Sequence, residues 1–227
     1  MIVVIIIVIV GALIIGPQYW VKSILERYNK KDEANFTGTG GEFAEHMLKL
    51  HSIDNVTIET TDVGDHYDPI SKTVRLTSDK FNGKTLTAIT VAAHECGHAI
   101  QDHEKHPLFT WRTRLAGLSN FATKLGSFLL FTAPILALIT RAPSIAIINI
   151  TGAFLILGFG IALHFLTLPV EIDASFNKAL PFLAKGYLSP LQQKAANKIL
   201  KAAAYTYVAA SLSSLLNFWR WLSVLKR

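Results

Sequence analysis

His94 and His98 are the residues whose type and spacing are best suited to chemistry. They belong to the segment His94-Glu-Cys-Gly-His98, which follows an apolar run and precedes a polar stretch. On a helix, histidines four positions apart lie on one face, with Glu95 beside them. This geometry is typical of a catalytic zinc site in which two imidazoles hold the metal and the glutamate acts as general base. The alternative is a helix with two hydrogen-bonded surface histidines.

Two carboxylates in the second half of the chain provide a candidate for a third ligand. All other Asp and Glu residues precede residue 105, whereas Glu171 and Asp173 stand in an otherwise apolar and basic region. A catalytic zinc takes three protein ligands and leaves one position for water, and two histidines with one glutamate are a standard set. We therefore predict one zinc ion per chain, held by His94, His98 and Glu171.

Composition indicates a membrane protein, since 51% of the residues are hydrophobic and only 17% are charged. About 20 apolar residues are needed to cross the hydrocarbon core of a bilayer. Four apolar stretches are candidates: residues 2–21, 125–139, 145–168 and 202–222. The predicted fold class is a mainly α membrane protein, a helical bundle of about four spans with a small cytoplasmic α+β portion that holds the zinc site. Arg220 interrupts the last stretch, which either spans the membrane or lies on it.

The predicted organisation has five parts. The first stretch lacks a basic start and a cleavage site, so it is interpreted as a retained anchor rather than a signal peptide. The parts are an N-terminal membrane anchor (1–21), a cytoplasmic α+β portion with the two-histidine helix (22–115), a transmembrane hairpin (116–168), a cytoplasmic segment with the third ligand (169–201) and a C-terminal apolar helix (202–227).

The distribution of Lys and Arg predicts an orientation. Twelve of the 22 basic residues lie in 22–114 and five lie in 178–201, whereas only Arg141 lies between the second and third stretches. Because basic segments favour the cytoplasmic face, the hairpin would return Glu171 to the side of the histidines. We expect a multi-pass membrane protein with its site on the cytoplasmic side near the bilayer surface. The formal charge of +6 needs no nucleic acid partner, since no base-stacking motif accompanies it.

Local patterns predict the elements around the motif. Residues 42–50 have helical apolar spacing. Residues 56–58 and 73–77 alternate, and turn formers lie between them, which favours a β-hairpin. A helix is expected to begin near Thr85 or Thr87, both good N-cap residues, and to run to about His103.

A resemblance to a known family rests on these motifs together. His94-Glu-Cys-Gly-His98, the apolar hairpin, and Glu171-Ile-Asp-Ala174 resemble the neutral zinc metallopeptidases of bacterial membranes, the YugP-type group. Gly64-Asp-His-Tyr-Asp-Pro69 is similar to that group too. The HtpX-like and CAAX-processing membrane proteases are more distant relatives. The resemblance implies a zinc endopeptidase with Glu171 as ligand, acting on membrane or membrane-adjacent proteins.

The residues that support the ligands are left open by the sequence. Metal-bound histidines usually donate their second ring nitrogen to an oriented acceptor. The distant relatives have an Asp where this chain has Ser175, and Asp173 is an additional acid two positions earlier. Asp173 is the first candidate acceptor and Asp102 the second. Alternatively, Asp173 is an acid at a helix N-terminus that complements the helix dipole, and Asp102 is a solvated acid.

His66 and Tyr67 are candidates for the wall of the active site. Either side chain could donate a hydrogen bond to the developing oxyanion, or both could simply belong to the hairpin. The exposed edge of the hairpin could pair with an extended substrate backbone.

Two rival functions remain. An intramembrane site-2-type protease would need its metal inside the bilayer, whereas the polar residues 101–105 that follow the motif favour an interfacial site. A non-catalytic zinc-stabilised membrane scaffold or assembly factor would bind zinc without using Glu95. The presence of Glu95 favours an enzyme whose partners are the lipid bilayer and a protein or peptide substrate.

Overall fold

A computed structural model describes residues 2–29 and 36–205 of the chain. The chain divides into two compact units. One unit, called the site unit here, contains Pro17–Thr110 and Leu168–Thr206. The other, called the helical unit, is built mainly from residues 111–167.

The described elements are mostly helices, with one small sheet. In chain order they are α1 (Ile2–Tyr28), α2 (Gly40–Leu50), β1 (Thr57–Thr61), β2 (His66–Asp68), β3 (Thr73–Thr77), α3 (Ser78–Phe81), α4 (Leu86–His103), α5 (Pro107–Thr140), α6 (Pro143–Asp173), a π-helical segment (Ala174–Ala179) and α7 (Leu180–Ala184). Residues 190–205 are also helical.

Helix α4 is the centre of the site unit. Thr85 is its N-cap and accepts a hydrogen bond from the Ala88 backbone N–H, so the predicted beginning is confirmed. All residues from Leu86 to Gln101 are buried. A helix that is buried all round must be enclosed by other elements. Helix α2 and the π-helical segment pack closely against it.

The sheet has the strand order β1-β3-β2. β2 and β3 form an antiparallel hairpin, whereas β1 pairs with β3 in parallel. The predicted hairpin between residues 56–58 and 73–77 is therefore wrong. Hairpin strands are joined by short turns. Here the residues between the two predicted strands include β2, and β2 is the strand that pairs antiparallel with β3. β1 is left to pair along the opposite edge.

The prediction of a bundle of about four membrane spans is wrong. Within residues 2–29 and 36–205, no helix is long and apolar enough to cross a membrane. The apolar runs 125–139 and 145–168 lie within α5 and α6, and neither helix meets that requirement over its described residues. The predicted membrane orientation was derived from those spans, so it is not supported either. Most of the fourth stretch, residues 206–222, lies outside the described part of the chain.

Candidate metal centre

Helix α4 presents His94 and His98 on one face, as the spacing predicts. Their ring centroids lie 4.8 Å apart, with the ring planes inclined by 77°. Both side chains are buried, with exposed fractions of 3% and 2%. A buried imidazole needs a polar partner for each ring nitrogen, because an unsatisfied buried polar atom is costly.

Glu171, near the end of α6, brings a carboxylate to the two histidines. Its Oε2 atom lies 3.3 Å from His94 Nε2 and 3.1 Å from His98 Nε2. Zinc holds such ligands at about 2.0–2.1 Å, so tetrahedral donor atoms are about 3.3 Å apart. In the described part of the chain, these three residues form a group whose ligand atoms all lie within 4.8 Å of one another and could hold a metal ion.

The partners of the outer ring nitrogens determine the tautomer of each histidine. Ser175 Oγ lies 3.0 Å from His94 Nδ1, and when its hydroxyl donates to the Leu200 carbonyl, 3.4 Å away, it accepts from that nitrogen. The side-chain carbonyl of Gln101 accepts from His98 Nδ1 at 2.9 Å. With these oxygens as acceptors, each neutral ring carries its proton at Nδ1, and each Nε2 directs a lone pair towards the carboxylate.

This arrangement fits a cation. Two imidazole lone pairs and a carboxylate oxygen meet at hydrogen-bonding distance, and with both ring protons at Nδ1 they are all acceptors. Such a cluster is stabilised when a positive ion lies between the three atoms. Imidazole nitrogen and carboxylate oxygen are ligands that zinc prefers, so the residues present fit that ion.

The alternatives for the supporting residues are distinguished by these contacts. Ser175 is hydrogen-bonded to His94. Asp173 accepts a hydrogen bond from the amide of Gln101 at 2.7 Å. Asp102 instead bonds Tyr67 and Lys72, so it supports neither ring.

Gly97 allows the glutamate to approach. A Cβ atom built at Gly97 would lie 2.7 Å from the Ala174 carbonyl oxygen, closer than real Cβ contacts allow. The absence of a side chain lets the end of α6 and the π-helical segment lie directly on α4. π-helical turns are rare and are frequently found at functional sites.

Replacing Gly97 by Ala is expected to weaken both the fold and the metal site. The added methyl meets rigid backbone, and overpacking of this kind costs about 1–3 kcal/mol, more than the gain in helix propensity of up to about 1 kcal/mol. Urea unfolding and zinc competition measure the two effects. The matched control is Gly117→Ala, where nothing lies within 4 Å of the new Cβ. A Gly97→Ala variant as stable as the Gly117→Ala variant would contradict this packing argument.

Glu95 lies beside the histidines on α4 and is 7% exposed. Burial raises the pKa of its carboxyl above the ordinary value, while His94 and His98 act in the opposite direction. A carboxylate with a raised pKa accepts a proton more readily at neutral pH, which suits a general base.

β2 is tied to the last turn of α4 by a shared acceptor. Asp102 Oδ2 accepts hydrogen bonds from the Tyr67 hydroxyl and from Lys72 Nζ, both at 2.6 Å. Burial and the Asp102 carboxylate raise the pKa of Tyr67. The Phe109 ring lies 6.2 Å from the Tyr67 ring and 5.9 Å from the His98 ring. The aromatic side chain of β2 thus reaches the surroundings of the metal centre.

His66, also on β2, has a defined tautomer. Its Nδ1 donates to the Gly64 carbonyl at 2.7 Å, because a carbonyl oxygen can only accept. In neutral His66 the other nitrogen is therefore an acceptor. Donation from it to an oxyanion requires the protonated ring.

The sequence analysis assigned no role at the centre to three residues that contribute to it: Gln101, Gly97 and Phe109. Helical spacing is a signal for the first, since Gln101 follows His98 by three positions and shares its face. The other two act through contacts with distant segments, which no local pattern reveals.

A buried helix with two histidines four positions apart and a glutamate from a later helix is an arrangement that zinc metallopeptidases use. The model of the family described as "putative neutral zinc metallopeptidase" matches residues 1–226, and the chain belongs to that family. It is 34% identical over 218 residues to "Putative membrane protease YugP" of Bacillus subtilis (strain 168), covering 92% of each chain. No solved structure matches it. The resemblance to the YugP-type group and the zinc cofactor are thereby confirmed.

Proposed function

We propose that the protein is a zinc-dependent endopeptidase that hydrolyses membrane or membrane-adjacent proteins. His94, His98 and Glu171 hold the metal, and Glu95 is the general base. The observation that supports this most directly is the distance of the two histidine Nε2 atoms from Glu171 Oε2, 3.3 Å for His94 and 3.1 Å for His98. These distances suit donor atoms around a tetrahedral zinc ion.

The reaction divides between the metal and Glu95. Zinc supplies Lewis-acid activation of water and of the scissile carbonyl. Glu95 takes the proton from the attacking water and transfers it to the amide nitrogen as the peptide bond breaks. The histidines keep the Nδ1–H tautomer through Ser175 and Gln101, so both Nε2 lone pairs remain available.

The substrate backbone is proposed to pair with β2. This strand lies at the edge of the sheet, and its described pairing is with β3 alone. An extended peptide can add to an exposed strand edge through backbone hydrogen bonds. His66 and Tyr67 would then form the wall of the substrate site, held to α4 by the bond from Tyr67 to Asp102.

Replacing Tyr67 by Phe tests whether its hydroxyl acts in the reaction. Because Asp102 engages the hydroxyl proton, we expect kcat to change less than about tenfold, whereas loss of an oxyanion donor costs about 10²–10³-fold. The free energy of unfolding should fall by about 1.5–3 kcal/mol, since the lost bond has a charged acceptor. Tyr19→Phe, at a position 75% exposed, is the control. A fall in kcat of a hundredfold or more would return Tyr67 to the role of oxyanion donor.

A membrane is proposed as the place of action. The relative from Bacillus subtilis carries the words "membrane protease" in its name. The helical unit also exposes large apolar side chains, and extended apolar surfaces mark membrane or protein contacts. The most exposed examples on α5 and α6 are Phe121, Phe128, Phe131, Leu138, Ile139, Ile147, Ile148 and Leu155.

The direct test is cleavage of casein by the purified protein with and without metal. We expect the zinc-loaded protein to cut casein, a chelator to stop cleavage, and added zinc to restore it. Zinc-loaded protein that cuts neither casein nor detergent-solubilised membrane proteins would refute the proposed activity.

The burial of the centre favours one alternative, a zinc-stabilised scaffold. Structural zinc sites are closed, and here the ligands and Glu95 are all less than 10% exposed. A scaffold needs the metal but not the carboxylate of Glu95. The Glu95→Gln variant therefore separates the two functions.

A further inference from the structure

Gln101 is a polar side chain with no exposed surface, in α4 one turn after His98. A buried amide is retained at low cost only when its donors and acceptors are satisfied. Here its partners lie on two elements that are far apart in the sequence. The residue is therefore a bridge between the two halves of the metal centre.

The contacts of Gln101 reach the residues on either side of the third ligand. Its amide nitrogen donates to the Val170 carbonyl at 2.9 Å and to Asp173 Oδ2 at 2.7 Å. Val170 directly precedes Glu171, and Asp173 follows it by two positions. A single side chain thus holds the segment that carries the glutamate against α4.

These acceptors also determine which way the amide faces. A backbone carbonyl and a carboxylate oxygen can only accept from the amide N–H groups of Gln101, so the NH₂ group must face Val170 and Asp173. The amide oxygen is left to face His98 Nδ1. Asp173 is itself oriented by the side-chain amide of Asn177, which donates to its Oδ1 at 2.7 Å.

We propose that Gln101 is a positioning residue for the metal. It keeps the His98 proton at Nδ1 and holds Glu171 within bonding reach of both imidazoles, and Asp173 acts through it. This inference rests on the proposed zinc ligands and adds the residue that aligns two of them.

Replacing Gln101 by Met, which has similar volume but no donor or strong acceptor, tests the proposal. We expect the zinc Kd, measured by competition with a chelator, to rise about 10–100-fold, as is typical when a group orienting a ligand is lost. In metal-free protein labelled with ¹⁵N-histidine, His98 should change from the Nδ1–H tautomer to a mixture. A folded variant with the parent's zinc Kd, or with His98 still wholly in the Nδ1–H form, would overturn the proposal.

Two further variants separate the two roles of the amide. In Gln101→Glu a carboxylate can still accept from His98 Nδ1 but cannot donate to Val170. We therefore expect the Nδ1–H tautomer to be kept while the zinc Kd still rises. Asp173→Ala removes one acceptor of the Gln101 amide at a partly exposed position. This variant tests the proposal if Gln101→Met does not fold. A zinc Kd for Asp173→Ala within twofold of the parent's would count against the proposal.

Thr90→Val is the matched control on the same helix. Thr90 is equally buried, and its hydroxyl has no hydrogen-bond partner among the residues of the structure that are described. The zinc Kd should stay within twofold of the parent's; a rise as large as that of Gln101→Met would overturn the proposal, because any buried polar change would then have the same effect. Zinc affinity and tautomer need no substrate, so a parent protein that binds zinc yet cleaves nothing would refute the peptidase and leave the role of Gln101 intact.

Discussion

Replacing Glu95 by Gln is expected to lower kcat for peptide hydrolysis by about 10²–10⁴-fold while the protein keeps its zinc. The amide preserves size and burial but cannot take a proton from water, and general acid–base catalysis contributes about this factor. Zinc content should not change, because the proposed ligands are His94, His98 and Glu171. The measurement is casein cleavage together with metal content, at equal protein concentration.

The control for this experiment is Glu45→Gln, the same chemical change at an exposed position of α2. It should retain the parent's activity and zinc. Equal activity of the Glu95→Gln variant and the parent, both zinc-loaded, would remove the enzyme and favour a zinc-stabilised scaffold. A loss of zinc in the Glu95 variant would instead mean that this carboxylate helps to bind the metal.

Replacing Glu171 by Gln is expected to raise the zinc Kd more than about 100-fold. This substitution removes one of the three proposed ligands, a larger change than the 10–100-fold loss typical of a group that only orients a ligand. Zinc binding to the native state raises the melting temperature, so the increase seen on adding zinc to the parent should vanish in the variant.

The metal-free Glu171→Gln protein gives an independent result. An amide can donate to a histidine Nε2, whereas the carboxylate in the parent can only accept. We therefore expect the metal-free variant to unfold at a temperature no lower than that of the metal-free parent. A variant that keeps stoichiometric zinc at the parent's Kd would disprove the assignment of Glu171 as third ligand.

Much of the centre follows from local spacing. Residues four apart on a helix share a face in any fold, and Thr85 marks where that helix begins, so His94, Glu95 and His98 could be placed from the sequence. Glu171 could be proposed because an acid in an apolar region needs a reason to be there. Hydropathy was a poorer guide, since apolar runs within α5 and α6 predicted membrane spans that the described helices do not form.

By itself, the sequence determined the chemistry available to this protein: a helix with two imidazoles and a carboxylate, a distant acid as the candidate third ligand, and a resemblance to neutral zinc metallopeptidases. Only the tertiary structure decided how the centre is assembled. The approach of Ala174 to Gly97, the contact of Ser175 with His94, and the bridge through Gln101 all join segments about 70 or more residues apart. Helical periodicity acts over a few residues, so it cannot determine contacts between distant segments. These depend on how closely the backbones pack and on which buried polar groups satisfy one another.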